Sequence, residues 1–350
     1  MANKVPQVEI RTSPHIHHAP RVDVIMRNVV YALTPICLFA VYQFGISALA
    51  LMAVSLAACM GTEALLCRLS GRVSTLGDYS AVITGLLLAL TLPPGFPLWM
   101  TAVAGFVAIA LGKTLFGGLG NNVLNPALVG RAFVQAAFPV AITTWTPALS
   151  PGRFSEFIPS TLAWPFSIPP ATDQWSRQAV DGFSGATPLA LQKFEQITTP
   201  AWNLFTGMTA GSAGETSALL IVLCGTYLAL RRMLDWRIPL AVLLAAFLTS
   251  GGFYWFGESG YPDPLFMLLS GGLMLGAVFM ATDMVASPVT PLGVWIYGAL
   301  IGFVTIIIRL FGGLPEGIMY AILLANAASP LIAAATQPRI YGQRKVKRRS

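Results

Sequence analysis

Apolar runs close to twenty residues long recur from one end of this chain to the other, and nothing else in it limits the fold as severely. A helix rises about 1.5 Å per residue, so about 20 apolar residues cross the ~30 Å hydrocarbon core of a bilayer with every backbone amide paired inside the helix. Windows bounded by charges, prolines or glycine clusters predict ten such spans, over 28–44, 46–67, 79–92, 98–116, 123–140, 216–233, 236–256, 265–282, 291–310 and 316–334. Charge is correspondingly scarce. Lys and Arg number 21 and Asp and Glu 14 in 350 residues, 10% of the chain, where a soluble domain carries roughly a quarter. This balance excludes a soluble globular domain, a disordered chain, a collagen and a disulfide scaffold. It predicts an all-α polytopic membrane protein surrounded by lipid.

The net charge of +7 serves orientation. Too few polar positions remain to build a solvated basic face, so no nucleic acid is expected as a partner. Met1 to Arg27 is polar and carries Lys4, Arg11, Arg21 and Arg27 ahead of the first apolar run, which is unlike a cleavable signal and starts the chain in the cytoplasm. Ten spans from that start place Arg68, Arg72, Lys113, Arg231, Arg232, Arg237 and six basic residues from Arg339 to Arg349 on the same inner side, making 16 of 21 with the tail. The outer turns 93–97 and 257–264 hold none. Basic residues gather in cytoplasmic segments in this way, so both termini are predicted to be cytoplasmic.

The chain thus divides into a cytoplasmic tail (1–27), five spans (28–140), a long outer, periplasmic loop (141–215), five further spans (216–334) and a basic cytoplasmic tail (335–350). Structureless loops of that length are uncommon without a task. It contains Trp145, Trp164, Trp175 and Trp202, four of the eight tryptophans, and many prolines. On composition alone it also suits a proline-stiffened cap over the bundle.

The third, fifth, eighth and tenth spans are short or interrupted, at Leu90–Gly95, Asn121–Ala127, Gly271-Gly272 with Ser287-Pro288, and Asn326–Pro330. They hold equivalent places in two halves, and Leu115-Phe116-Gly117-Gly118-Leu119 returns as Leu310-Phe311-Gly312-Gly313-Leu314. A unit of five spans crosses the membrane an odd number of times, so a second copy enters from the opposite face: a 5+5 inverted repeat with broken or half helices. Folds of this kind put broken helices near the midplane, where free backbone groups can hold a ligand or ion. The Asn-rich segments are the candidate pocket. Their Asn and Gly residues equally suit close packing of helices.

Within the long loop stands Asp181-Gly182-Phe183-Ser184-Gly185-Ala186-Thr187-Pro188-Leu189-Ala190. Thr187 reads as an N-cap with Pro188 at the first position of a short amphipathic helix running to about Gln196. Asp-x-x-Ser-Gly-Ala-Thr also resembles the motif on which a flavin transferase places FMN, through a phosphodiester to the threonine hydroxyl. Gly120-Asn121-Asn122-x-x-Asn125-Pro126-Ala127, then Gly130-Arg131-Ala132-Phe133, and Phe279-Met280-Ala281-Thr282-Asp283 are similar to the NqrB/RnfD family of membrane subunits. The likeness covers essentially the whole chain, and the short tail ahead of the first span resembles the Rnf branch.

The resemblance implies a flavoprotein subunit of an ion-translocating, ferredoxin- and NAD-linked electron-transport complex in the bacterial cell inner membrane. It implies FMN on Thr187 as a phosphoryl threonine, with Asp181, Ser184, Gly185 and Ala186 completing the attachment motif and the tryptophans enclosing the ring. Asn122, Asn125 and Asn326 are implied as a pocket for a second, non-covalent flavin, riboflavin, and Asp283 as a group on the path of Na⁺ or H⁺. The implied partners are the other subunits of the complex, including a second flavinylated one, and a periplasmic flavin transferase. No catalytic residue, metal site or complete active site is expected in this chain alone. A passive channel for a small neutral solute such as urea is the alternative for a ten-span inverted repeat, and it has no use for residues 181–187.

Charges within spans are expensive and mark pathways or partners. Among them are Glu63, Arg131, Arg309 and, at the inner end of the eighth span, Asp283. Glu63 has Arg68 and Arg72 nearby as partners, and Asp283 fits a helix cap or a wet loop as readily as an ion path. Two motifs mislead. Gly105 to Thr114 ends in Gly-Lys-Thr, but Val107 stands where a phosphate-binding loop needs glycine. His15, His17 and His18 have no Cys or acid at ligand spacing and read as a tail that docks on a partner.

Overall fold

The computed structural model describes residues 21–167, 186–215, 217–257 and 261–338, and all regular structure among them is helical. The principal helices are α1 (Val22–Phe44), α2 (Ile46–Leu69), α3 (Ser80–Thr91), α4 (Leu98–Ile109), α5 (Pro126–Ala137), α6 (Ala218–Leu230), α7 (Arg237–Phe256), α8 (Pro264–Leu269), α9 (Pro291–Phe311) and α10 (Ile318–Ala335). Each predicted span overlaps one of them, although α8 covers only the first third of 265–282. Helices α1, α2, α7, α9 and α10 are long and apolar enough to cross a membrane, and α3, α4 with its continuation, and α6 are shorter apolar helices. Their outward faces carry Leu38 at 65% exposure, Leu248 at 67% and Leu331 at 74%. Apolar side chains exposed along helix after helix need lipid against them, and the chain is a multi-pass membrane protein.

Local chemistry sets the helix ends. Asn125, Ser217 and Thr290 cap α5, α6 and α9, accepting from the amides of Ala127 (3.0 Å), Leu220 (3.4 Å) and Gly293 (3.2 Å). Pro126 and Pro291 occupy the first helical positions, where a missing N–H costs nothing. The Asn125 cap makes α5 start at Pro126, and Pro139 opens a separate turn, Pro139–Ile142, so the predicted 123–140 span is broken near both ends. α1 begins six residues ahead of its predicted start because Val22 to Arg27, four of them apolar and with Asp23 in the first turn, continue the helix. One break left no trace in hydrophobicity, and another falls at the Gly271-Gly272 interruption expected from the sequence. α4 passes into a π turn at Ala110–Thr114. The chain after α8 turns at Gly271, whose φ of +63° favours glycine, resumes at Leu273–Leu275 and ends in a π turn at Gly276–Met280.

α2 packs on α3 and α4, and α4 on α5. In the second half α7 packs on α8 and α9, and α9 on α10. The two halves therefore share one order of neighbours, and they meet where α1 touches α6 and α5 touches α10. Gly298 and Gly302, one turn apart on α9, let that helix approach α7 so closely that a Cβ on either would strike the backbone between Ile238 and Ala246. Such small-residue contacts stand in for a hydrophobic driving force that lipid does not supply.

The long loop is tied down by backbone pairing. Ile46 N–H donates to Arg153 O (2.9 Å), Leu149 N–H to Gln43 O (2.9 Å), Leu98 N–H to Thr161 O (3.1 Å), and Ala213 and Gly214 N–H to Leu92 O (3.0 Å) and Leu90 O (2.8 Å). Gln43 Nε2 also donates to Gly207 O. These contacts seal the α1–α2 and α3–α4 turns, and the last pair satisfies carbonyls where α3 stops short.

Candidate functional site

Two pockets define the chemistry, one at each end of α3. The first lies under the long loop, where Thr187 is the N-cap of the helical turn Pro188–Ala190 with Pro188 at its first position, and Ala190 N–H donates to Thr187 Oγ1 at 3.3 Å. A π turn, Leu191–Glu195, carries the helix close to its expected end at Gln196. Leu189 is buried in a cluster with Leu204, Phe266, Leu273 and Ile306. Lys193 Nζ donates to the carbonyls of Arg309 (2.8 Å), Gly312 (2.5 Å) and Leu314 (3.1 Å), where α9 ends. The Thr187 segment is thereby fastened to the bundle at both of its ends.

Thr187 lines a pocket of about 450 Å³ of empty space with Trp145, Ser212, Glu215, Gly271 and Glu316. Behind the acids Arg131 donates from Nη1 to Glu215 and from Nη2 to Glu316, each at 2.7 Å. Gly272 N–H also donates to Glu316. Arg309 donates to Met267 O (2.5 Å) and Ser270 O (3.1 Å). Both arginines are buried, at 5% and 3% exposure. Burial pushes the Glu215 carboxyl above its ordinary value, and the charge of Glu316 adds to that. Glu316 is held by Arg131 and the Gly272 amide, with the charge of Arg309 close by.

Asp181, Ser184, Gly185 and Trp175, like the three histidines, lie outside the described residues, and Ala186 is half-buried beside Thr187. The expected tryptophan enclosure is corrected in part. Trp145 lines the pocket, whereas Trp164 at 81% and Trp202 at 71% exposure face outward.

The second pocket has about 810 Å³ of empty space, part of it open to the surroundings, where α1 and α3 begin. Its walls are apolar at Ile25, Met26, Val29, Leu87 and Phe279, and polar at Ser80, Thr84, Lys113, Asn122, Asn125, Thr282 and Asp283. The structure thus brings together three residues expected to act. Asn122 Nδ2 donates to Asp283 Oδ2 at 3.4 Å, and Asn125 Nδ2 to Met280 O at 3.2 Å. Asp283 also accepts from Val285 N–H (3.1 Å), so its capping and pocket roles coincide. Asn122 Oδ1 is buried without a partner among the described residues. A free amide oxygen among apolar walls fits a flat heterocycle that carries N–H donors. Asn326 does not line this cavity; its Oδ1 accepts from Tyr297 Oη at 2.6 Å.

Glu63 pairs with neither Arg68 nor Arg72. Its carboxylate meets Lys113 Nζ at 2.6 Å and the Thr75 hydroxyl, while Lys113 also donates to Ser80 Oγ at 2.5 Å. α2 and the π turn after α4 bring these groups together, and a carboxylate at 2% exposure needs an ion partner more than it needs a near neighbour in sequence. Glu215 and Glu316 were the residues missed. A lone acid at the edge of a span, in Gly214-Glu215 and Pro315-Glu316-Gly317, is the signal that points to them.

The NQR2, RnfD, RnfE family matches residues 9–342. The D subunit of the Na⁺-translocating ferredoxin:NAD⁺ oxidoreductase complex of Acetobacterium woodii is 41% identical over 97% of this chain and 96% of its own length. Its counterpart in the proton-translocating ferredoxin:NAD⁺ oxidoreductase complex of Clostridium ljungdahlii is 37% identical over 96% of each. The corresponding chain of the ion-translocating oxidoreductase complex of Alcanivorax borkumensis is 36% identical over 96% of this chain and 97% of its own length. With the apolar bundle, its Asn-rich breaks and the Thr187 segment all inside the matched range, the chain belongs to the NQR2, RnfD, RnfE family.

Proposed function

We propose that this chain is the D subunit of an ion-translocating ferredoxin:NAD⁺ oxidoreductase complex, and that it carries FMN on Thr187. The observation that carries the reading is the position of Thr187. The hydroxyl that ends Asp-x-x-Ser-Gly-Ala-Thr stands on a pocket wall, at a helical turn fastened to the bundle by Lys193. FMN supplies the electron-transfer chemistry when bound. The protein positions it. Thr187 Oγ is the ester oxygen, the Ala190 amide that reaches it is a donor suited to the phosphate, and Trp145 and Leu189 give the pocket apolar surface.

Asn122 and Asn125 hold a second flavin, riboflavin, at the opposite pocket, where Asp283 takes up the translocated Na⁺ or H⁺. The ten helices form ten spans in a 5+5 inverted repeat of the bacterial inner membrane, with both termini cytoplasmic and the Thr187 pocket periplasmic. The shared order of helix neighbours and the distribution of basic residues support this arrangement. A periplasmic flavin transferase modifies the chain, and a second flavinylated subunit exchanges electrons with it. On a denaturing gel, protein from cells that express the transferase gives a fluorescent band under ultraviolet light, and Thr187→Ala gives a dark one. A dark wild-type band overturns the reading, and fluorescence that survives Thr187→Ala moves the attachment elsewhere.

A further inference from the structure

We infer that Glu215 takes up a proton when the flavin on Thr187 is reduced, so that the buried charge cluster compensates the added electron. The inference rests on the Thr187 reading. Glu215 and Glu316 both face the pocket that Thr187 lines, and the buried guanidinium groups of Arg131 and Arg309 stand behind them. Above about pH 8, the value to which burial raises the Glu215 carboxyl, both acids are ionised and the two positive and two negative charges cancel. Charge buried without compensation is costly, so negative charge arriving in the pocket beside two carboxylates must be met locally.

The contacts decide which acid responds. Glu316 is held by Arg131 Nη2, by Gly272 N–H and by the field of Arg309. Glu215 has one charge-assisted bond, from Arg131 Nη1, with the Ser212 hydroxyl beside it. Losing its charge gives up less, and burial already favours its neutral form. The other groups around it are Arg131 on α5 and Arg309 on α9, which stay charged, and Tyr320 on α10, a neutral phenol within the field of Arg131. Lys193 is committed to the carbonyls at the end of α9. Ser212 Oγ, buried on the same pocket wall beside the Glu215 carboxyl, is a hydroxyl able to pass the proton.

The step balances. One electron enters the flavin from a one-electron donor, one proton from solvent bonds to a Glu215 carboxylate oxygen, and no covalent bond of the chain breaks. Reoxidation returns both.

The test uses the assembled, flavinylated complex, checked first by gel fluorescence and then reduced with dithionite in an infrared cell at about pH 9, where Glu215 starts ionised. Reduction should produce a protonated-carboxyl C=O stretch that shifts in heavy water, persists in Glu215→Asp, and vanishes in Glu215→Gln and Thr187→Ala. The midpoint potential of the covalent flavin should also depend less steeply on pH in Glu215→Gln, by up to about 59 mV per unit, the value of a tenfold change for one electron. A fluorescent wild-type protein that reduces fully without the carboxyl band overturns the inference, as does a band unchanged in Glu215→Gln. A band lost in Glu316→Gln but kept in Glu215→Gln assigns the proton to the wrong acid here and overturns it equally. A dark wild-type gel band defeats the Thr187 reading instead.

Discussion

Replacing Lys113 by Met should destabilise the bundle far more than removing its partner along with it. Lys113 and Glu63 are 3% and 2% exposed, and Nζ lies 2.6 Å from Oε1. At an effective dielectric of about 20 their attraction is roughly 6 kcal/mol, most of it offset by the cost of taking both ions out of water. Lys113→Met removes the attraction and keeps half of that cost, because Glu63 stays buried with the Thr75 hydroxyl as its one remaining donor among the described residues. Breaking a buried pair from one side costs about 3–5 kcal/mol. At about 2–4 °C per kcal/mol for domains of 150–250 residues, that lowers the melting temperature by roughly 6–20 °C. Lys113→Met with Glu63→Met removes both ions, and buried pairs replaced by apolar groups of similar volume are often neutral. The assay is thermal unfolding in one detergent for wild type, both single variants and the double variant, read as a cycle. Equal destabilisation in Lys113→Met and in the double variant refutes the reasoning, since Glu63 would then bear no penalty for standing alone.

Two further outcomes follow from packing and from the second pocket. Gly302→Leu should destabilise by about 1–3 kcal/mol or more by forcing α9 off α7, measurable as a lower melting temperature, while Gly252→Ala on α7, where a Cβ meets nothing, should be neutral or mildly stabilising. Asp283→Asn should slow redox-coupled cation uptake in vesicles holding the complex while gel fluorescence stays intact; loss of both together marks Asp283 as structural.

What the sequence made legible were the features that repeat or act locally. Apolar runs placed every principal helix because each helix must satisfy its own backbone in lipid. Asn125-Pro126 and Thr187-Pro188 announced helix starts because a cap and its proline act within four residues. Asn122, Asn125 and Asp283 were legible as polar breaks in apolar surroundings, although only the fold brings Asn122 to Asp283 across 161 positions. The ion pairs were not legible. Arg131 reaches Glu215 across 84 positions and Glu316 across 185, and Lys113 reaches Glu63 across 50. The partner of a buried charge is set by which helices pack, so the nearest basic residue in the chain is a poor guess. The three π turns, at Ala110–Thr114, Leu191–Glu195 and Gly276–Met280, escaped for a related reason, since one residue added to a helical turn hardly alters the apolar pattern.

One stretch of chain joins the two pockets. The stretch from Gly271, on the Thr187 pocket, to Phe279, on the Asp283 pocket, is one broken helix, roughly 12 Å long at 1.5 Å per residue. α5 runs alongside with Asn125 on one pocket and Arg131 in the charge cluster behind the other, and Asn125 Nδ2 grips Met280 O, in the π turn of that broken helix. Any coupling between flavin and cation carried by this frame is a free energy, and it acts in both directions. If reduction at Thr187 raises cation affinity at Asp283, the bound cation must raise the potential of that flavin by the same amount, about 59 mV for each tenfold change in affinity per electron. Asp283→Asn should then remove the cation dependence of the potential along with the uptake. A potential that still responds to the cation in Asp283→Asn, with uptake lost, places the coupled cation somewhere other than the pocket of Asn122 and Asp283.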